Sequence, residues 1–393
     1  MSKSYDVVIA GGAVMGSSCA FWLTRMRPGL RVLVIEPDPS YAFSSTALSA
    51  ASIRQQFSNP VNVEISRFGV EFIRDFARHI GPEGGVPDLG FRENGYLFLT
   101  GTETGRATLE TLADMQRGRG AVTEVLSPDD IQRRWPWMNV ADIAAGSFGE
   151  RFEGWFDNMG LLSGMKTAAR AAGAEYRRAS VQSLERGKDR ILAVHLDNGD
   201  RIEAGSVVNC AGTRAAMLLR TAGLDLPVEP RKRTVYVFDA PKARHPDAPL
   251  IVDHQGFYAR PEHHCWIGAT IPAEDGPCAA DDFEPDLEPF EDRLWPALYN
   301  RSEGFEETRV SRWWVGHYAY NTLDQNAILG RHPLVSNLYL ANGFSGHGLQ
   351  QAPAVGRGIA EQILEGDWQT LDLSTLGMQR VIDNRPFAEA AIV

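Results

Sequence analysis

Cysteine is scarce. The 393-residue chain has four, Cys19, Cys210, Cys265 and Cys278, with no C-x-x-C step and no metal-like spacing. That excludes a disulfide framework and leads us to expect reduced thiols in a cytoplasmic protein. Basic residues are in deficit too, 39 Lys and Arg against 50 Asp and Glu, for a formal charge of −11. Nucleic acid needs a basic face, so no such partner is expected. The one dense basic run, Arg231-Lys232-Arg233, reads as a solvated strand end. His263-His264 is the one histidine pair, and neighbours on a strand point to opposite faces, so no metal site is expected. Internal repeats and low-complexity linkers are missing. Residues 7–24 form an uncharged run of 18 residues, the length of a short membrane span, but three glycines and two serines argue against both a span and a signal peptide. Peripheral association with a membrane is left open.

What is present begins with a short apolar run ending in Ala10, then Gly11-Gly12-Ala13-Val14-Met15-Gly16, then helical spacing through Cys19, Phe21, Trp22 and Leu23. That is strand, tight turn and helix. A second apolar run, Val32 to Ile35, ends on Glu36, followed by Pro37. The acid stands about 20 residues beyond the turn, where a ribose needs an acceptor and where a 2′-phosphate would be repelled. Glycines admit the backbone to a pyrophosphate, and the helix N-terminus binds that anion. Ala13 departs from G-x-G-x-x-G at the second glycine, a variation that shifts the phosphates slightly.

Residues 37–57 are rich in Ser, Ala and Thr and behave as a loop lying over something. Asn59 and Pro60 then open a helix whose stripe is Ile65, Phe68, Phe72, Phe76 and Ile80, stopped by Gly81-Pro82. Strand and helix signals alternate onward to Cys210-Ala211-Gly212, a buried strand ending in glycine, and residues 227–239 and 256–270 alternate like a second sheet. The expected fold class is α/β (α+β): a Rossmann-like dinucleotide-binding domain interwoven with an antiparallel-sheet substrate domain. We divide the chain into a discontinuous dinucleotide-binding domain (1–85, 150–222, 325–393) and a substrate-binding domain (86–149, 223–324).

A second glycine turn, Gly343-Phe344-Ser345-Gly346-His347-Gly348-Leu349, lies between a strand and a helix. It exposes consecutive amides, suited to a second phosphate or to the anionic pyrimidine end of a flavin. Two distant glycine turns on one ligand indicate FAD, so the discontinuous domain is expected to be a Rossmann-like FAD-binding domain; a nicotinamide dehydrogenase using the first alone leaves the second unexplained.

Residues 343–353, with Asp324-Gln325-Asn326 and Arg331-His332-Pro333 upstream, resemble the D-amino-acid-oxidase-like superfamily of FAD enzymes, most of all its sarcosine oxidase and dimethylglycine dehydrogenase branches. The similarity runs from Tyr5 to about Trp368. It implies that Gly11, Gly12, Gly16 and Glu36 hold the ADP half, that Ser44, Ser45, Thr46 and Ser52 lie on the loop over the pyrophosphate and ring, that Val181 lies on the adenine, that Cys210, Ala211 and Gly212 border the groove, and that Gly346 to Leu349 meet the pyrimidine end. It also implies oxidation of a C–N bond in a secondary or N-substituted amino acid that is sarcosine-like, iminodiacid-like or a D-amino acid. Hydride passes to flavin N5, water hydrolyses the imine, and oxygen or another carrier takes the electrons.

Three positions depart from the pattern. Trp266 stands where sarcosine oxidases carry an oxygen-activating lysine, His317 where some carry a flavin-linked cysteine, and Gln350 where a lysine pairs with the substrate carboxylate. Noncovalent FAD is expected. Arg54 then becomes the candidate carboxylate anchor, ahead of Arg260, with His347 as a donor to flavin or substrate and Tyr258, Tyr318, Tyr320 and Gln350 around the pocket. The alternative function is a flavin-containing assembly factor for a respiratory complex.

Overall fold

The computed structural model describes residues 3–86 and 88–390. Its first sheet has the order Ile328–Arg331, Leu338–Asn342, Arg201–Asn209, Lys3–Ala10, Val32–Glu36, Glu175–Arg178, with the pair Val181–Arg186 and Ile191–Leu196 attached to Arg201–Asn209. The last five strands of that path run parallel. Parallel strands are covered on both faces, which is why they read as unbroken apolar runs. Val7, Ile9, Val32 and Val34 pack toward the helices Val14–Met26 and Gly348–Glu365, while Val8, Ala10, Leu33 and Ile35 pack on the opposite face with Ala215, Leu218 and Leu219.

Those two helices bring the ends of the chain together. Ser18 Oγ donates to the Ala352 carbonyl at 2.7 Å and Trp22 Nε1 to that of Pro353 at 2.9 Å. A Cβ on Gly356 would sit 2.2 Å from Ser18 Oγ, so glycine is what lets the helices touch. Both glycine turns therefore open at the same end of one sheet.

The second sheet has the order Arg309–Asn321, Val228–Asp239, Cys265–Thr270, Phe257–Glu262, Leu250–Asp253, Tyr96–Thr100, Ala145–Gly149, Thr123–Leu126. Its pairings are antiparallel except Leu250–Asp253 with Tyr96–Thr100. Period-two alternation divides its faces. Tyr236, Phe238 and Trp266 pack with Phe290, Leu298 and Phe305 in one core, while Val235, Val237, Ile267 and Ala269 lie on the other side with Tyr258.

One helix expectation is revised: the stripe after Asn59 breaks at Asp75 into Pro60–Arg74 and Phe76–Ile80. Asn59 and Pro60 do open the helix, with Asn59 at the N-cap position, but its side chain makes no capping bond. Its Nδ2 donates instead to the Ala388 carbonyl at 2.7 Å. No helix among the described residues is long and apolar enough to cross a membrane, and no cluster of metal-ligating side chains occurs among them.

Candidate active site

The strand Lys3–Ala10 ends against its neighbour so closely that only glycine fits. Gly11 has φ +98°, and a Cβ there would lie 2.3 Å from the Cys210 carbonyl oxygen. At Gly16 a Cβ would lie 1.9 Å from the Gly11 oxygen. The turn is thereby pressed against the sheet, and Ala13 leads into the helix without a capping side chain. Thr46 Oγ1 accepts from the Val14 amide at 3.2 Å, tying the loop 37–51 to the helix start. Glu36 accepts the Gly12 amide at 2.8 Å and the Asp38 amide at 3.0 Å. Burial pushes its carboxyl above the usual range while those two donors pull the other way.

From this turn a cavity of ≈ 830 Å³ runs between the two sheets. That lies within the range of about 300–1,000 Å³ typical of ligand sites. Gly11, Ala13, Val14, Met15, Glu36 and Pro37 line one end, with Val181, Cys210, Ala211 and Gly212 beside them. Ser44, Ser45, Thr46 and Ser52 line the middle, and Phe344 to Gln350 the far end, under a roof of Tyr96, Val235, Tyr258 and Tyr318. Gly346, at φ +99°, has the Tyr318 ring 2.8 Å from where a Cβ would be, so any side chain there would displace the roof.

Arg54 is a buried cation at this far end. It is 2% exposed, its Nη1 donates to the Gln56 carbonyl, and its Nη2 lies 3.0 Å from His347 Nε2. A guanidinium only donates, so His347 Nε2 is the acceptor and the ring proton sits on Nδ1. The Arg54 guanidinium lies over the Phe57 ring at 4.3 Å and the Phe98 ring at 5.2 Å. Gln350 Oε1 accepts the Arg54 amide at 3.0 Å. Burial lowers the pKa of Arg54, opposed chiefly by Tyr96, Glu389 and Glu153. Burial also keeps the tyrosines neutral: Tyr96 is pushed up to about 12, and Tyr258 and Tyr318 are raised as well.

Several expected site residues stand elsewhere. Tyr320 is not on the cavity wall, because its ring is covered by the Arg231 guanidinium at 3.6 Å. Gly12, Gly16 and Gly343 lie behind the wall as turn residues, and the Gly12 amide is spent on Glu36. Arg260 is turned to the Ala50 carbonyl and to Glu262 and does not line the cavity. Trp266 faces the opposite core, its Nε1 donating to Ala243, so its position does not overlook the cavity. The basic run is not a solvated strand end. Arg233 is 6% exposed, lines the cavity and makes a two-pronged pair with Asp275 at 2.7 and 2.9 Å. Sequence reasoning also missed Tyr96, whose hydroxyl donates to Ser52 Oγ at 2.6 Å, and the buried Glu153, which accepts from Gln55 and Gln56. Period-two alternation through residues 231–235 would have placed Arg233 with Val235 on the inner face.

A dinucleotide cradle on one sheet, roofed by a second sheet and ending at a buried arginine, defines a two-sheet flavin oxidoreductase. Residues 6–362 match the family DAO, FAD dependent oxidoreductase, and the chain belongs to it. It is 40% identical to the FAD-dependent oxidoreductase domain-containing protein 1 of Bos taurus, over 94% of this chain and 83% of that protein. It is 22% identical to the monomeric sarcosine oxidase of Bacillus sp. (strain B-0618), over 97% of each. Among solved structures, the L-proline dehydrogenase from P.horikoshii superposes with a TM-score of 0.87 at 25% identity, covering 98% of this chain and 100% of that one. FAD is the cofactor of the family, and the glycine cradle, the amides of the two turns and Glu36 suit it.

Proposed function

We propose that the protein oxidises the C–N bond of an amino acid bearing a secondary or N-substituted amine, sarcosine-like, iminodiacid-like or of D configuration. The observation that carries this reading is Arg54, a guanidinium buried beside the glycine turn that would meet the flavin ring. A fork of fixed donors grips a carboxylate and so orients the carbon next to the amine. Bound FAD supplies the hydride acceptor. Tyr96, Tyr258 and Tyr318 exclude water and present neutral phenols. The cation at Arg54 disfavours a second positive charge, so the substrate amine is held neutral, the form that yields hydride. His347, with its Nε2 turned to Arg54, fixes the guanidinium. Among the described cavity-lining residues there is no lysine, which favours an electron carrier over oxygen as acceptor.

The test is anaerobic mixing of the holoprotein with sarcosine, N-methyl amino acids, iminodiacetate, proline and D-amino acids. At least one should bleach the visible flavin band, with a carboxyl-free analogue of the same amine much poorer. Failure of every member, or equal reduction by the carboxyl-free amine, would sink the reading.

A further inference from the structure

The segment 387–390 is folded back onto Asp324 and Asn326 and onto residues 58–62, the stretch that directly follows Phe57. Asp324, in a buried ion pair with Arg380 (2.7 Å), accepts the Phe387 amide at 3.0 Å through its side chain and the Glu389 amide at 3.1 Å through its carbonyl. Asn326 Nδ2 donates to the Phe387 carbonyl at 2.9 Å. The strap thereby delivers the Glu389 carboxylate, 0% exposed, to the start of the helix Pro60–Arg74. Oε1 accepts the Ser58 amide and hydroxyl at 2.7 and 2.6 Å. Oε2 accepts the Asn59 amide, Asn59 Nδ2 and Asn62 Nδ2 at 3.2, 3.2 and 2.8 Å. Five donors converge on it, which is the environment of an ionised carboxylate, and its carboxyl is held below the usual range despite burial.

Ser58 directly follows Phe57, the ring on which both Arg54 and His347 are mounted, at 4.3 and 5.0 Å. A buried guanidinium needs an anion nearby. Among the described residues, two carboxylates favour the charged form of Arg54, Glu389 and Glu153. Burial raises Glu153 to about 8, so it is mostly protonated at neutral pH, and Tyr96 and Tyr318 are neutral phenols. Glu389 is the one of these that is ionised there.

We propose that Glu389 is a positioning residue of the active site, a counter-charge that holds the Arg54–His347 pair from behind. The inference leans on the amine-oxidation reading only in treating the Arg54 corner as the reacting end. Its test needs no substrate: a double-mutant cycle on the FAD-loaded protein, with Glu389→Gln, Arg54→Met and the double variant unfolded in denaturant at pH 7. With Arg54 present, the increase in unfolding constant caused by Glu389→Gln should exceed that in the Arg54→Met background by about tenfold or more. Glu389→Asp, which keeps the charge, should recover most of the loss. Should Glu389→Gln not fold, the same coupling is read from Arg54→Met and Arg54→Lys in the wild-type and Glu389→Asp backgrounds, where loss of the charge at residue 54 should cost more than its conservative replacement. Equal factors in both backgrounds would overturn the proposal and leave the strap a purely structural tie. A coupled cycle in a protein that no amine reduces would sustain it while the substrate reading failed.

Discussion

Glu153 shows how much one buried side chain can hold in place. It receives the Gln55 amide at 2.6 Å and Gln56 Nε2 at 2.8 Å, while Gln56 Oε1 accepts from Ser147 at 2.7 Å. The arrangement braces the residues that follow Arg54. Burial pushes its carboxyl from 4.5 up to about 8, against the pull of the Gln56 and Gln55 donors. A folded-state value raised above the unfolded one means that the native protein holds the proton more tightly. The stabilisation is complete below the unfolded value of 4.5 and is lost as pH rises through about 8. Glu153→Gln removes this titration and keeps the shape. Denaturant unfolding between pH 5 and 8 should show wild-type stability falling more steeply than that of the variant, and parallel slopes would show that Glu153 is ionised throughout.

At the scale of elements, the first turn depends on glycine at positions where backbone meets backbone. Gly16→Ala forces the helix Val14–Met26 off the strand end, since the new methyl would lie 1.9 Å from the Gly11 oxygen. Overpacking of this kind costs about 1–3 kcal/mol and moves the amides that would face the diphosphate. Gly276→Ala, where the added methyl would meet nothing within 4 Å, should stay within roughly 0.5 kcal/mol of wild type. Thermal unfolding and the ratio of visible to ultraviolet absorbance of the purified variants check both. An unchanged flavin ratio in Gly16→Ala would mean that the turn yields freely.

This turn is legible in the sequence because its information is local: an apolar run, glycines and an acid follow one another within one βαβ unit. The second glycine loop is legible for the same reason. Arg54 itself is fixed by Gln350 at a separation of 296 residues, and the Ser58–Glu389 pair spans 331, so no sequence window contains either contact. Arg233 is misread because charge in a run suggests solvent, whereas its partner Asp275 arrives from a loop 42 residues away. Tyr320 fails in the opposite direction: it belongs to the same strand as Tyr318, yet its ring is taken up by Arg231 and only Tyr318 reaches the cavity.

At the scale of the whole molecule, the two sheets meet across a cavity of ≈ 830 Å³ whose walls come from both, Glu36 and Met15 from one side and Tyr96 and Tyr258 from the other. FAD held between them would be gripped by both sheets at once, and the unfolded chain has no comparable site. A ligand that binds only the folded form adds RT ln(1 + [L]/Kd), about 4 kcal/mol at a thousandfold excess over Kd. For a chain of this length that corresponds to a rise in Tm of about 5 °C. Stripping FAD should lower the Tm by that order, and adding FAD should restore it where NAD does not. Ring attachment enters the same experiment. His317 stands at the cavity with its Nε2 donating to the Asp282 carbonyl at 2.6 Å and its ring stacked on Phe283 at 4.5 Å, an imidazole already occupied by the protein. Acid precipitation should then leave the yellow colour in the supernatant. Colour retained in the pellet, with a Tm indifferent to added FAD, would mean that the cofactor is bonded to the chain.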